Sequence, residues 1–270
     1  MNKILLTIFT LSFFILFTAC ASSGASGNET IKIGVTGGPP EEITNIVQEE
    51  AKKEGIDLEV IKFNDYITPN RALNSEELDL NMFQTKQFLG QYVDDRNAPL
   101  VAIGSTYNST IGIYSEKYNR VDEIPDGATL GILNDPVNTG RSLLLYEEAG
   151  LITVKPKDGL LTLNDIDENP RNFKFTEIEG PLMLRTLGSI DAGIVASTHA
   201  FDQGLRPVEE AIYLETGTEF PMVVAAKEAD KDNADYKRIT ELYHSDAVRE
   251  FIEDRYKDVI IVTDDPFQLD

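Results

Sequence analysis

The sequence predicts an α/β protein of two lobes joined by two crossover strands, with a ligand cleft between the lobes. Three observations carry that prediction. Apolar runs of strand length alternate with amphipathic helical segments, the mark of βαβ units and a parallel sheet. Twice the rhythm breaks, near 100–114 and 211–226, where two apolar strands follow one another with little between them, as expected where a chain passes between lobes. Between the breaks, a buried strand at 129–133 runs into Asn134-Asp135-Pro136-Val137-Asn138-Thr139-Gly140-Arg141, a polar turn that opens a helix over 142–149. A strand, a turn and a helix start together can hold an anion, because the first N–H groups of a helix have no partner inside it.

Taken in order, Thr30 to Val35 reads as a strand and Thr36-Gly37-Gly38-Pro39-Pro40 as a turn that places proline at a helix start. Ile43, Ile46, Val47 and Ala51 recur at helical spacing, and Gly55 ends that helix. Leu58 to Phe63 is the next strand, and Asn64 to Asn70 follows at its carboxyl end, where open α/β sheets place their ligand crevice. A short helix is expected over 71–78, a strand over 79–83, a helix over 84–96 and strands at 99–104 and 111–114. The second lobe continues with the opening stretch, a strand at 173–178, a short helix at 181–187 and a strand at 191–196. After the return crossing, one long helix over 236–256 and a strand at 259–263 complete the body. The lobes are therefore expected as 30–108 with 221–270, and 109–220.

The chain's 270 residues suffice for one large domain or two ordinary ones with real cores. Against 46 acidic residues stand 24 Lys and Arg, a net charge of −22 that repels phosphate backbones and argues against nucleic acid as a partner. Cys20 is the one cysteine, which excludes a disulfide framework or a thiolate metal cluster within one chain. Lys3 precedes an apolar run to Phe17, shorter than the roughly 20 residues a spanning helix needs, so residues 1–19 read as a signal peptide. The run closes on Thr18-Ala19-Cys20. Small residues before a lone cysteine resemble the bacterial lipobox, in which the cysteine is lipidated, although Phe17 replaces the usual aliphatic residue. Residues 20–29 are then a lipidated cysteine with a Ser/Gly tether, holding a soluble body at the extracytoplasmic face of the cell membrane.

No nucleophile elbow, paired metal ligands or cysteine nucleophile argues for catalysis, and no cofactor is expected. Adjacent acids such as Asp94-Asp95 and Glu147-Glu148 are helix neighbours that point apart. Arg141 falls in or just before the first turn of its expected helix, opposing the positive end of the dipole, so a nearby negative group would favour it.

Phe63-Asn64-Asp65-Tyr66, Met82-Phe83-Gln84, Asn134-Asp135-Pro136 with Asn138-Thr139-Gly140-Arg141-Ser142-Leu143-Leu144-Leu145, Gly159-Leu160-Leu161 and Glu168-Asn169-Pro170 together resemble the NlpA family of lipoproteins, from about Ile31 to the end of the chain. The resemblance implies a type II periplasmic-binding-protein fold without catalysis. It also implies a methionine-binding component of an ABC importer, which hands a bound amino acid to a permease/ATPase complex. It places the ligand carboxylate on Arg141, with Asn138 nearby, and an aromatic pocket for the methionine side chain on Tyr66, Phe83 and Phe88. These residue types suit such a ligand, because a guanidinium matches a carboxylate and aromatic faces suit a thioether.

The departures from the family pattern are specific. Thr85 stands where the family has a pocket histidine, Ala196 where it has a ligand-binding asparagine, and Met222 on or close to a second asparagine. A buried ammonium left without partners is costly. Either Ser197, Thr198, Thr85 or backbone carbonyls take over, or the ligand is a methionine derivative, a peptide or another small carboxylate. His199 is a further polar group that could reach the cleft, although a lone histidine is more often structural, and a surface lipoprotein whose cleft no longer serves transport is the remaining alternative.

Overall fold

The structure, a computed structural model, describes residues 30–157, 159–216, 220–257 and 259–267. The expected signal peptide, Cys20 and the tether lie outside the described residues. No helix among those described is long and apolar enough to cross a membrane.

The first half of the chain runs β1 (Ile31–Thr36), α1 (Pro39–Lys53), β2 (Leu58–Phe63), α2 (Thr68–Asn74), β3 (Leu80–Thr85), α3 (Lys86–Arg96) and β4 (Leu100–Ser109), and then directly β5 (Ile111–Tyr114). There follow β6 (Thr129–Leu133), α4 (Pro136–Glu148), β7 (Thr153–Val154), β8 (Ile166–Glu168), β9 (Lys174–Ile178), α5 (Met183–Thr186), β10 (Ala192–Ala196), α6 (Ser197–Asp202), α7 (Pro207–Glu210) and β11 (Tyr213–Leu214). The chain closes with β12 (Pro221–Lys227), α8 (Ala234–Leu242), α9 (Asp246–Tyr256) and β13 (Ile260–Val262).

The strands form two main sheets, as a bilobal molecule requires. One has the order β13-β4-β12-β3-β1-β2 and the other β11-β5-β10-β6-β9, with β7 and β8 a small separate ribbon. The β1–β2 and β1–β3 pairs are parallel, and β12 is antiparallel to both β3 and β4. Only Thr110 separates β4 of the first sheet from β5 of the second, and β11 and β12 carry the chain back.

Local chemistry explains the elements. Prolines sit in the first turn of α1 with Glu41 and Glu42, Lys52 and Lys53 lie in its last turn, and Ile43, Thr44, Val47 and Ala51 face inward. The first sheet is covered on both faces, by a core around Ile33, Met82, Val224 and Tyr243 and by another around Leu73, Leu89, Val223 and Ala225. β3, central in that sheet, is buried along its whole length. The second sheet builds its own core around Ile113, Ile132, Leu143, Tyr146, Met183 and Ile194.

Four expected elements change. α4 begins at Pro136, not at Ser142, because Asp135 caps it by accepting from the Asn138 N–H at 2.9 Å and the proline takes an early helical position. Gly140 continues that helix where a Cβ would stand 3.3 Å from the Leu161 backbone nitrogen, so close packing and not a turn accounts for the glycine. The helix expected over 71–78 lies at Thr68–Asn74, started by the Asp65 carboxylate, which accepts from the N–H groups of Ile67 and Thr68. β4 runs through 105–109, whose buried Ser105, Thr106 and Ser109 pair into the sheet beside β12 and β13. The long helix expected over 236–256 is two, because Ser245 caps a fresh start by accepting from the Val248 N–H.

The sheets meet along a seam beside the cleft. Phe201 of α6 packs against the core of the first sheet, its ring 4.8 Å from that of Tyr256 in an edge-to-face pair. Lys62 bridges Glu41 at 2.8 Å and approaches Asp202 across the seam at 3.8 Å.

Candidate functional site

Tyr66, Phe83, Thr85, Phe88, Asn138, Arg141, Ala196 and Met222 all line one cavity between the sheets. It is narrow, enclosing about 60 Å³. Gln84, Ser109, Thr110, Ile111, Leu133 and Thr198 complete its wall.

On one side the wall is aromatic. β3 delivers Phe83, and Thr85 ends the strand by accepting from the Phe88 N–H at 3.2 Å, which caps α3 and turns Phe88 toward Phe83. The Phe83 and Phe88 rings meet nearly edge-on, 6.1 Å between centroids at 77°, and Tyr66 lies 6.4 Å from Phe83. Tyr66 in turn rests on Gly180 of the other lobe, where a Cβ would come within 2.7 Å of its ring. Beneath this wall, buried Asn70, Asn81 and Gln84 satisfy one another through side-chain amide bonds of 2.7 to 2.9 Å, so Gln84 is committed to structure. Met222 sits opposite Thr85 in the β12–β3 register, and Ala196 opposite Ile111 in the β10–β5 register.

The other side is polar and centred on Arg141. Because α4 starts at Pro136, Arg141 stands beyond the first turn and outside the reach of the positive dipole end. The negative group that favours it belongs to the chain itself. Arg141 donates from Nε to Glu215 Oε1 at 2.9 Å and from Nη2 to Glu215 Oε2 at 2.5 Å, a bidentate pair with side chains 6% and 9% exposed. Nη2 also donates to the Ser109 carbonyl at 2.8 Å, and the Ile111 N–H donates to Glu215 Oε2 at 3.2 Å. The guanidinium carbon lies 4.2 Å above the Phe220 ring. Arg141 is thus fastened to the strand junction at 109–111, and to Glu215 and Phe220 on the return of the chain. Its Nη1 makes no hydrogen bond among the described residues. Asn138 gives its amide N–H₂ to Asp135 Oδ2 at 2.9 Å, so that group is occupied in capping.

Two further cavities flank the site and share Tyr66 with it. An outer one of about 340 Å³ lies between Ile67, Tyr92 and Arg96 on one side and Pro136 and Leu182 on the other, with Phe88 at the junction. A second, of about 220 Å³, holds His199 with Arg185 and Asp202. His199 therefore faces the neighbouring chamber and not the inner cavity, and burial holds its pKa below the usual value, against the nearby Asp202 carboxylate. Thr198 lines both chambers, and Ser197 is tied to Thr110 by a hydroxyl pair at 2.8 Å.

Sequence reasoning missed Glu215, Phe220 and Ser109. Glu215 is one acid among 46 acidic residues in this chain, and nothing local marks it. Ser109 falls in a stretch that reads as a polar connection, and its one signal is its place just before the second apolar run of the first crossing.

The model of the NlpA lipoprotein family matches residues 31–263. D-methionine-binding lipoprotein MetQ of Escherichia coli (strain K12) is 40% identical over 226 residues, 82% of this chain and 83% of that protein. Outer membrane lipoprotein 3 of Mannheimia haemolytica is 34% identical over 252 residues, 92% and 94% of the two chains. Among solved structures, a nutrient binding protein from Burkholderia cenocepacia bound to methionine superposes with a TM-score of 0.83 at 37% identity, covering 87% of this chain and 100% of that one. A putative methionine-binding lipoprotein from Bacillus subtilis superposes with a TM-score of 0.85 at 31% identity, covering 88% and 99%.

Proposed function

The chain belongs to the NlpA lipoprotein family, and on that premise we propose that it is the solute-binding lipoprotein of an ABC importer, holding methionine or a close relative in its interlobe cleft. One observation carries the reading: the cavity between the sheets has a buried arginine on one wall and a cluster of aromatic rings on the other. A carboxylate suits the first and a thioether the second. Residues 30–108 with 221–270 form one lobe in this reading and 109–220 the other. Cys20 carries the lipid that holds the body at the outer face of the cell membrane, and the partner is a permease/ATPase complex. The protein binds and releases its ligand without transforming it.

Isothermal titration of the wild type with L- and D-methionine tests the ligand. Saturable one-to-one binding supports it, and silence with both removes it. Labelling with a palmitate analogue, lost in Cys20→Ser, tests the anchor.

A second reading has its own support. Ala196, Met222 and Thr85 line the cavity where the family pattern has polar groups, and Thr85 is committed to capping α3. Fewer partners remain for a ligand ammonium, which favours a ligand whose amine is masked, such as an N-acyl amino acid or a short peptide. Titration with N-acetyl-L-methionine beside free methionine separates the two: tighter binding of the acetylated compound selects the second reading.

A further inference from the structure

Ser109 ends β4 at the point where the chain leaves the first sheet, and it lines the inner cavity. It is 8% exposed, and its Oγ is fully buried without a hydrogen-bond partner among the described residues. Hydroxyls in such places are nearly always satisfied, so an orphan on a residue that lines a binding cavity marks a group kept for something else. Of the other hydroxyls on this wall, Thr110 pairs with Ser197 and Thr85 accepts from the Phe88 N–H.

Beside it, the Arg141 guanidinium is fixed by Ser109's own carbonyl and by Glu215, which occupy Nε and Nη2. Glu215 does not line the cavity, so it holds the arginine from behind. Nη1 is left with hydrogens to give. This corner of the wall therefore offers one charged donor and one neutral donor, neither with a partner among the described residues. A carboxylate brings two acceptor oxygens.

We propose that Ser109 is a ligand-binding residue: its Oγ–H donates to one oxygen of the ligand's carboxylate while Arg141 Nη1 donates to the other. Arginine then meets the ligand by one edge and not by its full fork, because Glu215 already holds the fork. Ser109 supplies the second contact that this arrangement takes from the guanidinium. The assignment deepens the proposed function and rests on its carboxylate ligand.

The test compares the wild type with Ser109→Ala by calorimetric titration of L-methionine and N-acetyl-L-methionine, and by thermal melting without ligand. Both compounds keep the carboxylate, so whichever binds the wild type is expected to lose about tenfold or more in affinity, by a similar factor if both bind. The ligand-free variant is expected to melt at or above the wild-type temperature, because the change removes a buried hydroxyl that has no partner. Unchanged affinity in Ser109→Ala overturns this assignment and leaves the proposed function standing. A fall of several degrees in ligand-free melting marks a structural hydroxyl and overturns it too. A wild type that binds neither compound overturns the proposed function, and this assignment with it.

Discussion

The wall built by β3 and α3 meets the cavity with Phe83 and Phe88, while the wall built by α4 meets it with Arg141 and Asn138. The aromatic wall is held by many weak contacts: a buried strand, an amide network beneath it and ring packing. The polar wall depends on one ion pair, anchored at both passages between the sheets. Tolerance to substitution follows from that contrast. A surface of dispersion contacts degrades gradually when changed, whereas a buried charge pair fails as a unit once one member is removed.

Arg141→Ala strikes the polar wall hardest. The change takes away the carboxylate contact and leaves Glu215 buried without its cation, so binding is expected to be lost and stability to fall by about 3–5 kcal/mol. Titration and denaturant unfolding check the two parts. Glu215→Gln keeps shape and one acceptor while removing the charge, and is expected to cost roughly 1–3 kcal/mol of stability, read by the same unfolding. A change within error would show that the pair contributes little. On the aromatic side, Phe88→Leu replaces a half-buried ring with a smaller apolar group, with an expected loss of about 1 kcal/mol in ligand binding and little in melting temperature. A collapse of binding there would erase the contrast between the walls.

The smallest effect concerns pH. Burial lowers the pKa of His199 and of His244, so each binds its proton less readily in the folded chain than in the unfolded one. Their contribution is fully present above the unfolded value near 6.5 and is lost as pH falls through the folded values. Melting temperature is therefore expected to decline below about pH 6.5. His199→Gln should flatten part of that slope, measured by thermal scans from neutral to mildly acidic buffer.

What the sequence made legible was local. β2, where Glu59 and Lys62 interrupt an apolar run, and β6, which is apolar almost throughout, are both bounded by turns and found at the expected residues. α1 announces itself through proline, first-turn acids and a periodic face. The failures come from patterns with two physical meanings. Pro136 and Gly140 read as turn residues, yet one opens a helix and the other permits close packing against Leu161. Ser245 sits inside a helical rhythm and still restarts it. The gathering of the eight residues around one cavity was readable through family resemblance, which holds Tyr66, Phe83, Asn138 and Arg141 in matching segments and marks Thr85, Ala196 and Met222 as departures from its pattern. Glu215 was not readable: it reaches Arg141 across 74 residues, and only the return of the chain brings them together.

Phe201 governs how the molecule comes apart. Its helix continues directly from β10 of the second sheet, while its ring packs against the core of the first. The second half thus supplies part of the first half's interior, and neither can lose its fold without uncovering apolar surface at Phe201. Two lobes joined only by strands would melt in two steps. Here a single calorimetric transition is expected, with its van't Hoff and calorimetric enthalpies in agreement, and Phe201→Ala should split that transition toward two.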